Sequence, residues 1–174
     1  VIADEKLFQF LGQCPPKELQ TDLDALVYLV TACSRCKAEF VEEDERDQSG
    51  KRALLNFGHT IGHAVESAIG YSKLYKHGEA VSFGMVCAAR ISIALGLTDE
   101  TLLSRLISLL EKTGLPVRLN PKVPVKKVLK NYLFDKKFSN LRTRIVLPLK
   151  IGRVVLQERI SEQIVEEAVK ACRS

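Results

Sequence analysis

Helical periodicity in this chain is cut at intervals by glycine, and that punctuation limits the folds open to it. Residues 4–12 form a short amphipathic pattern closed by Gly12 and by Pro15-Pro16. Asp22 to about Asp47 gives a long one, with Leu23, Leu26, Val27, Val30, Cys33 and Ala38 at mostly helical spacings, ended by Gln48-Ser49-Gly50. A third is expected from about Lys51 to Ile69 before Gly70, and a fourth from Gly78 or Glu79 to Leu95 before Gly96. Thr98 with Asp99 and Glu100 marks another helix start, and the Leu-rich run that follows stops at Gly114 and Pro116. The pattern then changes. Val125 to Leu133 reads as a short helix, residues 143–157 as a small β-hairpin, and Ser161 to Cys172 as a last helix with Ser161 as its N-cap. The expected fold is mainly α, a helical bundle lobe with one hairpin, in a single domain spanning residues 1–174.

Composition excludes several classes. With 174 residues and 46% hydrophobic content the chain has material for one core, and 10 Gly and 6 Pro show no period. The longest apolar stretch, Ala80 to Leu97, is interrupted by Arg90, so no membrane span is expected. Five cysteines lack a framework of spacings, which favours a reducing compartment. Cys33 and Cys36 form a CxxC without a second pair, so they read as two residues one turn apart on a helix. The first residues carry no basic segment before an apolar run, and the chain is expected to begin inside a longer one.

Charge is uneven: the net +5 divides into −4 for residues 1–60, +1 for 61–120 and +8 for 121–174. Between Lys122 and Arg153 stand ten basic residues and one acid, Asp135. Such a segment suits a small phosphorylated ligand or a solvated face. Few base-stacking aromatics and no nucleic-acid motif accompany it, so a nucleic-acid partner is not expected.

Chemistry concentrates between Lys51 and Glu79. On a continuous helix Arg52, Asn56, His59 and His63 would fall at about 0°, 40°, 340° and 20°, opposite Leu54, Phe57, Ile61 and Val65. A solvated face is usually written in Lys and Glu; Arg, Asn and two His suggest the wall of a site. Gly58 and Gly62 each weaken a helix by about 1 kcal/mol relative to Ala, a cost that close approach of a neighbouring backbone or ligand would offset. His59 and His63 stand on adjacent turns and could share a cation. Thr60 occupies the place of the catalytic Glu in a zinc-protease HExxH, which rejects that reading. His77 is the one other histidine. Spacing leaves both a metal site and structural histidines open, and does not say which pair would ligate.

The string from Arg52 to Glu66, RALLNFGHTIGHAVE, followed by His77-Gly78-Glu79-Ala80-Val81 and Gly84-Met85, closely resembles the 3-dehydroquinate synthase family. Lys37-Ala38-Glu39, Asp44-Glu45-Arg46 and Asp135-Lys136-Lys137 agree with it, so the resemblance covers nearly the whole chain. It implies that His59 and His77 are two of three ligands of a catalytic divalent metal, usually zinc, the third being a Glu upstream of Val1. His63 would contact substrate and assist proton movement. Lys37, Arg52, Asn56 and Lys136, or Lys137 in its place, would bind the carboxylate, hydroxyls or phosphate of the substrate. The implied activity is that of a phosphate-eliminating lyase of the shikimate route to aromatic amino acids, converting 3-deoxy-arabino-heptulosonate 7-phosphate to 3-dehydroquinate with transient use of NAD. A close relative such as an aminodehydroquinate synthase is the alternative. A non-catalytic helical domain that binds an anion or partner is the alternative from another class. No Gly-rich strand-to-helix turn occurs here, so an N-terminal NAD-binding domain is expected outside this chain, which alone should be inactive. The resemblance also implies a homodimer and a cytoplasmic location, with the plastid as alternative.

Overall fold

The computed structural model describes residues 1–46, 48–138 and 144–173, with their side chains except at positions 20 and 134–138. In chain order the elements are α1 (Glu5–Gln13), α2 (Glu18–Thr21), α3 (Leu23–Glu43), a 3-10 turn (Arg52–Asn56), α4 (His59–Ala68), α5 (His77–Ala94), α6 (Glu100–Lys112), α7 (Val125–Phe138), β1 (Arg144–Lys150), β2 (Arg153–Glu158) and α8 (Glu162–Ala171). The mainly α lobe with a hairpin is thus observed.

Local chemistry explains most boundaries. Asp4, Asp22, Asp99 and Ser161 cap α1, α3, α6 and α8 by accepting from free backbone N–H groups of the first turn. Gly50, Gly70, Gly96 and Gly114 adopt positive φ where the helical patterns stop. Gly12 instead stays within the last turn of α1, and the chain leaves that helix at Cys14, before Pro15. α3 stops at Glu43 rather than near Asp47, and α7 runs on to Phe138, past Leu133.

The core is organised around α5. Ala80, Val81, Phe83, Val86, Cys87, Ala88, Ala89 and Ile91 are all buried, and α4, α6, α8 and β1 pack around the helix. Apolar residues around the whole circumference are what such a central helix requires. Its long apolar run is therefore core. Ser82 and Ser92 are buried with their hydroxyls donated to the carbonyls of Pro116 (2.9 Å) and Pro148 (2.5 Å). Arg90 is half-buried, and its Nε has no hydrogen-bond partner among the described residues. Among the described residues no helix is long and apolar enough to cross a membrane.

β1 and β2 pair antiparallel, from Arg144 opposite Glu158 to Lys150 opposite Arg153, around a turn at Ile151-Gly152. Ile145, Val146 and Leu147 are consecutive buried residues, so β1 is covered on both faces. α7 buries Val125, Val128 and Tyr132 and leaves Lys126, Lys127 and Lys130 exposed. Part of the basic segment is therefore a solvated face, and Arg144 is paired with Glu158 at 3.0 Å.

One expectation fails. Residues 51–69 are not one helix: the 3-10 turn ends at Asn56, and Gly58 turns left-handed at φ +82° before α4 begins. Tertiary packing is the cause. A Cβ on Gly58 would lie 2.6 Å from the carbonyl oxygen of Val81, and one on Gly84 would collide with the carbonyl of Gly58. The backbones of the Gly58 turn and α5 thus touch, Phe57 swings into the core, and the helix must break there. Gly62 continues the contact, with Ala80 and Val81 backbone atoms 3.2 Å from where its Cβ would stand. The inference of close backbone approach at Gly58 and Gly62 holds. The single polar stripe from Arg52 to His63 does not.

Candidate metal centre

The glycine contact places the start of α4 beside the start of α5, and this brings all three histidines together. Ring centroids lie 5.6 Å apart for His59 and His63, 5.3 Å for His59 and His77, and 5.8 Å for His63 and His77. His59 and His63 come from successive turns of α4, whereas His77 is the first residue of α5, preceded by the extended Lys76. Helical spacing could give only the first pair. His77 joins because α5, which starts there rather than at Gly78 or Glu79, packs against α4.

A fourth group was missed. Glu66 lies three residues beyond His63 and seven beyond His59, on the same face of α4. Its Oε1 and Oε2 lie 3.1 and 3.2 Å from Nδ1 of His77. Ligand atoms of His63, Glu66 and His77 fall within 4.8 Å of one another. The signal available in the sequence was the HxxxHxxE spacing, which ends on this carboxylate.

The cluster's chemistry suits a divalent cation of the zinc type, which takes imidazole nitrogen and carboxylate oxygen. His59 Nδ1 lies 3.3 Å from the carbonyl oxygen of Phe57, to which it can only donate, leaving Nε2 with its lone pair. Burial lowers the His59 pKa; the bond to Phe57 opposes this, while His63 and His77 add to it. The neutral, ligating form is favoured. His63 and His77 are exposed, so the cluster opens to solvent on one side. Thr60 donates its hydroxyl to the Arg144 carbonyl at 3.2 Å, bracing α4 on the hairpin.

Among the described residues, no hydrogen bond joins Arg52, Asn56 or Lys37 to the histidine cluster. Arg52 is exposed, and its Nη1 donates to the Glu45 carbonyl at 3.2 Å. Asn56 is exposed at the end of the 3-10 turn. Lys37 is exposed on α3, the helix that packs on this turn. Lys136 and Lys137 belong to α7, and their side chains lie outside the described residues. Sequence reasoning also overlooked how Arg52 is held. The Asp44 carboxylate is buried and accepts from the backbone N–H groups of Gln48 (2.7 Å), Ser49 (3.1 Å), Lys51 (2.9 Å) and Arg52 (3.3 Å). Burial raises its pKa, but the hydrogen bonds from Ser49, Arg52 and Gln48 outweigh burial and hold it well below the carboxylate range.

Cys33 and Cys36 are free thiols on α3, as are Cys14, Cys87 and Cys172 elsewhere, so the CxxC is two residues of a helix.

Residues 1–138 match the 3-dehydroquinate synthase C-terminal family. The chain belongs to the 3-dehydroquinate synthase family. It is 38% identical over 174 residues to the 3-dehydroquinate synthase of Aliivibrio fischeri (strain MJ11), covering 100% of this chain and 48% of the relative. It is 40% identical over 175 residues to that of Synechococcus sp. (strain ATCC 27144 / PCC 6301 / SAUG 1402/1), covering 98% of this chain and 46% of the relative. The chain thus spans about half the length of the curated relatives it matches. Among solved structures, 2-epi-5-epi-valiolone synthase from Streptomyces hygroscopicus subsp. jinggangensis 5008, with NAD+ and Zn2+ bound, superposes with TM-score 0.85 at 22% identity, over 98% of this chain and 47% of that one. A 2-deoxy-scyllo-inosose synthase does so with TM-score 0.68 at 24% identity, over 81% and 39%. These two likenesses establish the fold. Within the 3-dehydroquinate synthase family, the match places this chain as its C-terminal helical domain.

Proposed function

We propose that this chain is the metal- and substrate-binding lobe of a 3-dehydroquinate synthase, working within a longer protein whose N-terminal half binds NAD and supplies a third metal ligand, a Glu. The observation that carries this is the convergence of His59, His63 and His77 at one open-sided cluster, in a member of this family. The NAD+ and Zn2+ of the valiolone synthase structure support the same two cofactors here.

In this reading His59 and His77 hold the metal through imidazole nitrogen. A divalent ion held there would polarise a carbonyl oxygen and fix substrate hydroxyls. NAD bound to the other half would accept and return one hydride. The residues of this lobe do the rest. Arg52, a planar guanidinium tethered to the Glu45 carbonyl, suits a bidentate grip on the substrate carboxylate. Lys37 and Lys136 offer point charges for the phosphate or carboxylate, and Asn56 a donor and acceptor for hydroxyls. His63 is exposed on the open side of the cluster and is placed to carry a proton as phosphate leaves. The bacterial relatives support a cytoplasmic setting, and family habit a homodimer.

The test is turnover by the full-length protein. With 3-deoxy-arabino-heptulosonate 7-phosphate, NAD and Zn2+, phosphate and 3-dehydroquinate should appear in equal amounts, and residues 1–174 alone should release none. Preferential turnover of a different sugar phosphate would move the assignment to another cyclase. Full activity of the isolated lobe would contradict the division of labour.

A further inference from the structure

The contact between Glu66 and His77 carries a role that the metal reading does not include. We propose that Glu66 is a positioning residue that locks His77 in the Nδ1–H tautomer and turns its Nε2 lone pair toward the metal. The inference rests on the metal role proposed above for His77, but its structural core is independent of it.

The geometry is specific. Both Glu66 oxygens sit at nearly equal distances, 3.1 and 3.2 Å, from one nitrogen, Nδ1 of His77. An ionised carboxylate can only accept, so Nδ1 must donate and Nε2 is left without a proton on the neutral ring. That is the minority tautomer of a free imidazole and the one suited to ligation through Nε2. The two partners differ in exposure: the Glu66 side chain is 12% exposed and that of His77 55%. Glu66 is anchored in the body of α4, between the buried Val65 and Ala68, whereas His77 begins a helix after a loop. The better-fixed group therefore orients the looser one. Among the described residues Glu66 has no Lys or Arg partner, so its charge is directed at His77. Carboxylates that back a ligating histidine in this way fix ring and tautomer, and removing them weakens metal binding by about 10- to 100-fold.

Glu66 also lies close enough to His63 and His77 to be a ligand itself, and the experiment separates the two roles. Full-length protein is prepared as wild type, Glu66→Gln, Glu66→Ala and His77→Ala. Histidine tautomers are read by nitrogen-15 NMR on metal-free protein, and zinc affinity by competition with a chelator. In the wild type His77 should be Nδ1–H. In Glu66→Ala it should shift to Nε2–H, with zinc affinity reduced about 10- to 100-fold. Glu66→Gln keeps an acceptor of the same shape and should fall between. An unchanged tautomer in Glu66→Ala overturns the proposal, whatever happens to zinc. So does a zinc loss in Glu66→Ala as complete as in His77→Ala, which would make Glu66 a ligand. If His77→Ala binds zinc normally while the tautomer still follows Glu66, the metal role of His77 fails and the positioning stands.

Discussion

The α4–α5 pair and α3 are both helical parts of one lobe, yet they are held in opposite ways. Gly58, Gly62 and Gly84 let the α4 and α5 backbones touch, and α5 is enclosed by neighbours. α3 is longer, at 21 residues, but only Ala32 and Phe40 are buried along it. Leu23, Val27 and Val30 on α3 remain 75%, 55% and 55% exposed. The histidines and Glu66 belong to the first region, Lys37 to the second. The metal centre proposed for the first region would demand closely fixed positions, and backbone contact through glycine is a rigid mount of that kind. A lysine that meets a phosphate as a point charge tolerates a looser mount.

The contrast can be broken where it is strongest. Gly84→Ala would drive a methyl group into the Gly58 carbonyl, backbone against backbone, with no flexible side chain to yield. Denaturant unfolding should show a loss of about 3 kcal/mol or a failure to fold. Gly62→Ala meets backbone atoms at 3.2 Å rather than in outright collision and should cost about 1 kcal/mol. Equal costs at the two positions would mean that the helices are not wedged at Gly84.

Between the two regions lies the loop that Asp44 organises. Its carboxyl is held well below its ordinary pKa of 3.8 in the folded state, so the stability it contributes is present above about pH 4 and is lost as pH falls further. Asp44→Asn should flatten the acid limb of a plot of unfolding midpoint against pH. An unaltered acid limb would show that these hydrogen bonds do not favour the ionised form. The smallest effect is expected on α3: Val27→Ser and Val30→Ser should each change the stability of this lobe by no more than about 0.5 kcal/mol. A larger loss would show that this face is packed in solution.

The sequence was most legible where a local device decides the structure. Ser161 caps the helix it announces, the start marked by Thr98, Asp99 and Glu100 is capped by Asp99, and Gly70, Gly96 and Gly114 end their helices at positive φ. It was least legible where a distant segment decides. Periodicity alone carries residues 51–69 straight through Phe57-Gly58, and only the arrival of Gly84 from α5 breaks them. The site divides in the same way. His59 and His63 are a pair that helical spacing shows, whereas His77 and its bond to Glu66 depend on the packing of α5 against α4. The family resemblance marks His77. The HxxxHxxE spacing puts Glu66 on the face of the other two histidines, but only the packing of α5 on α4 brings His77 to it.

The central claim is that His59 and His77 hold a metal while His63 moves a proton. Zinc content per chain, measured alongside turnover in the full-length protein, tests it most directly. His59→Ala and His77→Ala should lose both bound zinc and turnover, and His63→Ala should retain zinc while turnover falls by about 10²- to 10⁴-fold. Unchanged zinc in His59→Ala and His77→Ala, or loss of zinc in His63→Ala, would contradict it.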